Sequence, residues 1–251
     1  MTGGSGEVDL TVRDGVAVIT LDAPGRRNAL TVAMARDLAD AAATADADAS
    51  VGAVVVRGAG GHFCAGAHRA LLAAVGADPA DDANYGDLGT VYDSFVRVGR
   101  LGVPVIAAVR GSAVGAGVNL LLAADVRVVA RDARVLAGFG AIGLHPGGGH
   151  HLLAATALGR QGAAAFTLLG QELDGVRAVE VGLALECVDD AEVDERAYAL
   201  AAPAAADPEL SRRTTASFRR AVDPSPSRWE LAVEAERAAQ MWSLRRRAAR
   251  P

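Results

Sequence analysis

Apolar segments alternate with glycine-dense turns along the first two thirds of the chain. Residues 8–12 and 16–21 flank Asp14-Gly15, which predicts a β-hairpin. Residues 51–57 (VGAVVVR) predict a buried strand, and residues 105–129 predict a strand, a glycine-rich loop, a buried helix and a second strand. The pattern therefore favours an α/β fold with buried strands.

Helical spacing marks the segments between and after these strands. Leu30, Met34, Leu38 and Ala41 share one helical face, as do Val91, Phe95 and Val98. The acidic stretch 77–87 has no periodicity and predicts a loop. The remaining predicted elements are helices over 152–158, 161–169 and 175–182, a short strand over 184–188, and a helical region from Pro203 whose longest piece is 229–247.

Composition excludes several classes of protein. The N-terminus has no basic start followed by an apolar stretch, and no apolar run is long enough for a membrane span, so we expect a cytoplasmic protein without a membrane partner. Two cysteines do not make a disulfide framework. The net charge of −5 gives no general attraction for nucleic acid, and all 25 basic residues are arginine, which excludes lysine Schiff-base chemistry.

Two glycine-dense turns are the strongest candidates for chemistry. Residues 58–68 follow one apolar strand, and Gly111, Gly115 and Gly117 follow another. Backbone with little side chain lets a ligand approach its N–H groups, and the first turn of a helix adds N–H groups without intrahelical partners. These turns predict an anion or oxyanion site where the two strand ends converge.

Ordered motifs extend this observation. They are Asn28-Ala29-Leu30, Phe63-Cys64-Ala65-Gly66-Ala67, residues 104–109 with Gly111 and Gly115-Ala116-Gly117, residues 143–149 (GLHPGGG), and Gly182-Leu183-Ala184 with Val188-Asp189. In this order and spacing the chain resembles the enoyl-CoA hydratase/isomerase (crotonase) superfamily over about residues 7–200.

The resemblance implies a fold, a ligand and an assembly. The fold is a ClpP/crotonase-like spiral of ββα units over residues 1–200, followed by a C-terminal α-helical region, 201–251, that serves oligomerisation or forms a lid. The ligand is an acyl-CoA thioester, so coenzyme A arrives as part of the substrate and no permanently bound cofactor is expected. The assembly is a homotrimer or a dimer of trimers.

The resemblance also implies site residues. Two backbone N–H groups, which map onto Ala67 and Ala116, would form an oxyanion hole for the thioester oxygen. Arginine matches phosphate geometry, so Arg26 and Arg27 could meet the phosphates of coenzyme A, although solvated loop charges fit them equally well. The residues expected to contact coenzyme A are Arg26, Arg27, Ala29, Ala65 and Gly66.

The chain departs from the family at its two catalytic glutamates. The first position falls on Asn119, and the second falls on or beside Phe139, with Gly140 as its neighbour. A neutral amide cannot accept a proton at ordinary pH, and a phenyl ring cannot take part. Asn119 is either a buried amide with backbone partners or a group that orients a water or a substrate carboxylate.

Histidine could replace the missing base. His68 follows the first oxyanion donor and His145 lies in the loop after Phe139, so each is a candidate contact for substrate, with a structural hydrogen bond as the alternative. His150 and His151 begin a helix and are expected to be caps or surface groups. No cysteine or carboxylate with ligand spacing accompanies these histidines, so no metal site is expected.

Three functions stay open on these residues. The first is an enoyl-CoA hydratase-like lyase or isomerase that stabilises a thioester enolate, with a histidine or an Asn119-held water replacing glutamate. The second is decarboxylation of a malonyl-type thioester, which generates the enolate without a base. The third is a non-catalytic acyl-CoA-binding subunit.

Overall fold

The computed structural model describes residues 6–222 and 227–249. Its main sheet has six strands: β1 (Val8–Arg13), β2 (Val16–Leu21), β3 (Ala53–Gly58), β4 (Val105–Val109), β6 (Val126–Ala130) and β8 (Glu186–Val188). They lie in the order β1-β2-β3-β4-β6-β8, antiparallel between β1 and β2 and parallel elsewhere. The predicted hairpin is confirmed, with Val8 opposite Leu21 and Arg13 opposite Val16.

A second layer of short parallel pairings follows the ends of the main strands. Strands β5 (Ser112–Val114) and β7 (Arg134–Leu136) pair in parallel, and single bridges join Leu30 to Ala67 and Cys64 to Ala113. Each repeat thus consists of a main-sheet strand, a short second-layer segment and, in most repeats, a helix. This is the predicted spiral of ββα units.

Helices cover the sheet and complete the chain. They are α1 (Val32–Ala47), α2 (Arg69–Ala77), α3 (Asp82–Gly99), α4 (Ala116–Ala123), α5 (His150–Ala163), α6 (Gly175–Glu180), α7 (Val193–Ala205), α8 (Pro208–Val222) and α9 (Arg228–Ala248). A π-helical turn over Ala164–Leu168 continues α5. The last two helices form the C-terminal helical region.

The core lies where apolar strands meet apolar helix faces. All five residues of β4 are buried, as are Val54, Val55 and Val56 of β3. Helix α7 packs on β3, β4 and β6, while α1 packs on β1, β2 and α3. Strands buried on both faces are continuously apolar rather than alternating, which explains the pattern of β3 and β4.

Two local expectations were wrong. The stretch 77–87 is largely helical, because α3 begins at Asp82 with the Asp81 carboxylate accepting from the Asn84 N–H at 2.8 Å. Leu30 is not part of α1: Thr31 caps that helix, and Leu30 is held in the bridge to Ala67. In both cases a short polar side chain caps the first turn of a helix. The spacing of apolar residues alone does not show where such a helix begins.

No helix in the described ranges 6–222 and 227–249 is long and apolar enough to cross a membrane.

Asn28 fixes the loop between β2 and α1 against the turn after β3. Its side chain is fully buried, accepts from the Ala23 N–H at 2.8 Å and donates to the carbonyls of Ala59 at 2.9 Å and His62 at 2.7 Å. Its φ of 55° lies in the left-handed region, where asparagine is tolerated better than most residues. One side chain therefore joins two loops that precede the candidate site.

Replacement of Asn28 by alanine should destabilise the protein strongly. The Asn28→Ala variant leaves one buried N–H and two half-buried carbonyl groups without their partner, so we expect the free energy of unfolding to fall by about 2–4 kcal/mol in denaturant titration. Asn84→Ala is the matched control, because the Asn84 side chain also donates to two carbonyls, those of Ala74 and Asp78, but near the surface. Its loss should stay below about 1 kcal/mol, since water replaces the bonds. Equal losses in the two variants would contradict the role given to Asn28.

Candidate active site

The two glycine-dense turns run side by side and are joined by backbone hydrogen bonds. Phe63 N–H donates to Arg110 O at 2.9 Å, Cys64 N–H donates to Ser112 O at 3.1 Å, and Val114 N–H donates to Cys64 O at 3.0 Å. The turns extend two neighbouring parallel strands, β3 and β4, whose carboxyl ends meet at one edge of the sheet. The predicted convergence of the two turns is therefore present.

Ala67 and Ala116 occupy equivalent positions in this pairing. Each lies three residues after the bridged pair Cys64 and Ala113, and both line one pocket. The bridge from Leu30 uses the Gly66 carbonyl at 2.7 Å and the His68 N–H at 2.8 Å, so it leaves out the Ala67 N–H. Ala116 is the first residue of α4, where N–H groups have no intrahelical acceptor.

Two glycines permit this close approach. A Cβ on Gly117 would lie 2.1 Å from the carbonyl oxygen of Cys64, so only glycine lets α4 begin against the first turn. Gly66 has a φ of +90°, and a Cβ there would lie 2.6 Å from Val114 O and 3.3 Å from Ala116 N. The backbone at Gly66 thus touches the start of α4, which places both turns at the same edge of the pocket.

Asn119 belongs to a buried hydrogen-bond chain. Its Nδ2 donates to Gly147 O at 2.8 Å, and its Oδ1 lies 2.8 Å from Nδ1 of His150. An amide oxygen only accepts, so His150 Nδ1 carries a proton and donates. Nδ2 has a second hydrogen and the side chain lines the pocket, so Asn119 meets the pocket as a neutral amide that cannot accept a proton.

His150 is held neutral by its surroundings. Its side chain is fully buried, Nε2 lies 3.1 Å from the Thr167 hydroxyl, and the Phe139 ring packs edge-on at 5.0 Å. Burial lowers the pKa of His150 to about 3, with a smaller contribution from His151. The neutral ring donates a hydrogen bond through Nδ1 and accepts one from the Thr167 hydroxyl through Nε2. The expectation that His150 is a cap or surface group was therefore wrong.

The pocket between these elements is mostly apolar and has a volume of about 80 Å³. Phe139 lines it, as do Leu88 and Tyr92 from α3 and Gln240 from α9. Among the described residues that line it, none is a carboxylate or a histidine. The positions where the family pattern expects glutamates, Asn119 and Phe139, thus lie at the pocket without a titratable side chain.

The other two candidate histidines are engaged outside this lining. His68 caps α2, with Nδ1 accepting from the Ala70 N–H at 3.3 Å. Nδ1 of His145 lies 2.6 Å from Pro146 O, and the backbone N–H of His145 donates to the Ser243 hydroxyl at 2.8 Å. Both contacts match the structural alternative stated for them. Among the residues described, no group of three or more His, Cys, Asp or Glu is arranged to hold a metal ion.

The residues expected to contact coenzyme A are divided between the pocket and the adjoining loop. Ala65 and Gly66 line the pocket, and the Ala65 N–H donates to Arg27 O at 2.9 Å. The Arg26 guanidinium forms an ion pair with Glu7 and donates to Ala29 O at 2.8 Å. Arg27 is exposed with a φ of 54°. Arg26 is thus committed to a loop contact, whereas Arg27 presents its side chain to solvent.

The C-terminal helix contributes directly to the site, which sequence reasoning missed. Glu236 of α9 is buried and accepts from the N–H groups of Gly149, His150 and His151, each at 2.9 Å. A carboxylate at a helix N-terminus satisfies unpaired donors and complements the helix dipole. Glu236 therefore fixes the start of α5, and with it His150.

The stability of the protein should depend on pH through His150. The unfolded imidazole has an ordinary pKa near 6.5, and the folded pKa is about 3. The contribution of neutral His150 to the free energy of unfolding is therefore fully present above about pH 6.5. It falls as the pH drops toward 3, because the unfolded state binds the proton first. Between pH 7 and pH 5 we expect His150 to account for a loss of about 2 kcal/mol in the free energy of unfolding.

Two variants isolate this effect in urea titrations at several pH values. His150→Gln should lower stability at pH 7 but remove about 2 kcal/mol of the pH-dependent loss. His151→Gln, at the half-buried neighbouring position, should keep the full loss. An unchanged pH dependence in His150→Gln would show that the imidazole is not buried as described.

The chain is similar to proteins of one family in both sequence and structure. The family model for enoyl-CoA hydratase/isomerase matches residues 11–245. A protein of Mycobacterium tuberculosis named as a probable enoyl-CoA hydratase is 44% identical over 215 residues, covering 86% of this chain and 82% of the relative. A 1,2-epoxyphenylacetyl-CoA isomerase of Escherichia coli is 34% identical over 202 residues, covering 78% and 75%. The crystal structure of an enoyl-CoA hydratase/isomerase from Xanthobacter autotrophicus Py2 superposes with a TM-score of 0.86 at 30% identity, covering 95% of this chain and 88% of that one. The chain belongs to the enoyl-CoA hydratase/isomerase family.

Proposed function

We propose that the protein binds an acyl-CoA thioester and stabilises its enolate by hydrogen bonds from the N–H groups of Ala67 and Ala116 to the thioester oxygen. The observation that carries this proposal is the paired backbone of the two turns, which puts both alanines at equivalent positions on one pocket. Two donors aimed at one developing oxyanion favour the enolate over the thioester. The two relatives are named as a probable enoyl-CoA hydratase and a 1,2-epoxyphenylacetyl-CoA isomerase, and these names support a CoA thioester as the ligand.

The proton-transfer step does not follow the two-glutamate scheme. Asn119 is a neutral amide that cannot accept a proton, its oxygen is hydrogen-bonded to His150, and Phe139 is inert. His68 and His145 are both engaged in contacts outside the pocket lining. Hydration would therefore add the oxygen of a water to the β-carbon and pass that water's proton to the α-carbon, with no base among the described residues that line the pocket.

The lack of a base favours a second candidate, decarboxylation of a malonyl-type thioester. The bond from the α-carbon to the carboxylate breaks, its electron pair forms the enolate, carbon dioxide leaves, and water supplies the proton to the α-carbon. No group of the protein has to accept a proton in this sequence. The spare N–H of Asn119 would hold the carboxylate before it is lost.

The Ala116→Pro variant tests the proposed oxyanion donor directly. Proline has no N–H but is well tolerated at the first position of a helix, which Ala116 occupies. We expect loss of at least about 100-fold in kcat, equivalent to about 3 kcal/mol, on whichever substrate is turned over. Ala116→Ser is the control, because it keeps the N–H and should retain most of the activity.

Far-ultraviolet circular dichroism checks that Ala116→Pro is folded. A folded Ala116→Pro with the activity of Ala116→Ser would exclude this N–H from catalysis. Loss of activity in both variants would assign the effect to crowding of the pocket and would equally count against the proposed donor.

A substrate panel separates the candidate reactions. Crotonyl-CoA tests hydration by the fall in enoyl thioester absorbance, and methylmalonyl-CoA tests decarboxylation by release of carbon dioxide. We expect turnover of at least one, reduced by Asn119→Ala, since that variant removes the pocket-facing donor. Tight calorimetric binding of butyryl-CoA with no turnover across enoyl and malonyl thioesters would instead favour a non-catalytic acyl-CoA-binding subunit.

A further inference from the structure

A directional chain of hydrogen bonds connects the pocket wall to the π-helical turn Ala164–Leu168. It starts at the Gly147 carbonyl, which can only accept, so the nitrogen of the Asn119 amide faces Gly147 and its oxygen faces His150. That oxygen needs a donor, so Nδ1 of His150 carries the proton. The neutral ring then leaves Nε2 as an acceptor for the Thr167 hydroxyl at 3.1 Å. Each direction follows from the one before it.

The Thr167 hydroxyl bonds to His150 rather than to its own helix. Threonines inside helices commonly donate to the carbonyl four residues earlier. Three threonines of this chain do so, at distances of 2.8–3.1 Å: Thr44 to Asp40, Thr90 to Gly86 and Thr156 to Leu152. Thr167 lies in the π-helical turn, a rare element that frequently occurs at functional sites. Among the described residues, its hydroxyl has Nε2 of His150 as its hydrogen-bond partner.

Aromatic packing keeps the His150 ring in this orientation. The ring is fully buried, stacks on Phe166 with a centroid distance of 6.1 Å and makes an edge contact with Phe139 at 5.0 Å. Rotation of the ring about its Cβ–Cγ bond would carry Nδ1 away from Asn119 and Nε2 away from Thr167. Both hydrogen bonds therefore depend on one ring position, which the two phenyl rings hold.

The chain determines which end of the Asn119 amide lies toward the pocket. Gly147, the partner of the amide nitrogen, lines the pocket, whereas His150, the partner of the amide oxygen, does not. An amide turned end for end would place its oxygen against the Gly147 carbonyl and its N–H groups against the protonated Nδ1 of His150. Both contacts would be repulsive. The nitrogen end of the amide therefore lies on the pocket side.

We propose that His150 and Thr167 are positioning residues that keep the nitrogen of the Asn119 amide on the pocket side. Neither residue lines the pocket, so both act through Asn119. The inference rests on the proposed acyl-CoA function, in which Asn119 holds the carboxylate of a malonyl-type thioester, and adds the residues that orient this amide. Thr167 donates to His150, His150 donates to Asn119, and the second N–H of the amide is left for the substrate.

Nitrogen-15 NMR of the free, histidine-labelled protein tests the direction of the chain. The ring nitrogens of a neutral imidazole differ in chemical shift according to which one carries the proton, and His150→Gln identifies the His150 signals among the five histidines. We expect the Nδ1–H tautomer in the wild-type protein. Asn119→Ala should move the equilibrium toward Nε2–H, because it removes the acceptor for Nδ1–H while the Thr167 hydroxyl can also accept. The Nε2–H tautomer in the wild-type protein, or a tautomer that Asn119→Ala leaves unchanged, would overturn the proposal.

A double-mutant cycle tests whether Thr167 acts through Asn119. We expect Thr167→Val, which removes the hydroxyl, to lower kcat about tenfold on the thioester that is turned over, while Thr167→Ser retains most of the activity. In an Asn119→Ala background, Thr167→Val should change kcat by less than about twofold, because no amide is left to position. Where no thioester is turned over, or the Asn119→Ala rate is too low to measure, the same cycle is read from the Kd of methylmalonyl-CoA in calorimetry.

Thr156→Val is the matched control, since Thr156 lies in α5 and its exposed hydroxyl donates to Leu152 O at 2.8 Å. It should leave kcat and Kd unchanged. Wild-type values in Thr167→Val, or a loss that is equally large in the Asn119→Ala background, would overturn the proposal, since the second result shows a purely structural role. Failure of both crotonyl-CoA and methylmalonyl-CoA to bind would instead reject the proposed acyl-CoA function, and the tautomer of His150 in the free protein is measured independently of it.

Discussion

The backbone pairing between the turn after β3 and the turn after β4 is the constraint on which the candidate site depends. Three hydrogen bonds between Phe63-Cys64 and residues 110–114 fix the register of the two turns. This register also brings Gly66 against the start of α4, where a Cβ on Gly66 would lie 3.3 Å from Ala116 N. Gly117 is required for the same reason, since a Cβ there would overlap the Cys64 carbonyl.

A second layer of support reaches the site from the C-terminal helix. Glu236 binds three N–H groups at the start of α5, which places His150, and His150 in turn occupies the oxygen of Asn119. Each link in this chain pairs one donor with one acceptor, which gives Asn119 one orientation. Residues from α4, α5 and α9 thereby determine which face of a single amide the pocket meets.

Sequence patterns were sufficient for the strands and for the two turns, because β-branched runs and glycine clusters are local signals. The start of α3 and the environment of His150 were not predictable in this way. The acidic composition of residues 77–87 suggests a continuous loop, but Asp81 caps a helix within it. The hydrogen-bond partners of His150 are Asn119 and Thr167, which are distant in sequence. Gln240 lies on a helix without a clear apolar face, so its contact with the pocket depends on how α9 docks.

An enolate can arise by removal of a proton or by loss of a carboxylate, and only the first route requires a base. Tyr92 is the single titratable side chain among the described residues that line the pocket, and burial raises the pKa of its phenol well above the ordinary range. A phenol held neutral donates a hydrogen bond but does not remove a proton. The polar groups that the proposed site offers a substrate are therefore neutral: the backbone N–H groups of Ala67 and Ala116 and the amide of Asn119. Such a set binds oxygen atoms and stabilises charge that develops on them, so the proton chemistry has to be carried by water or by the substrate itself.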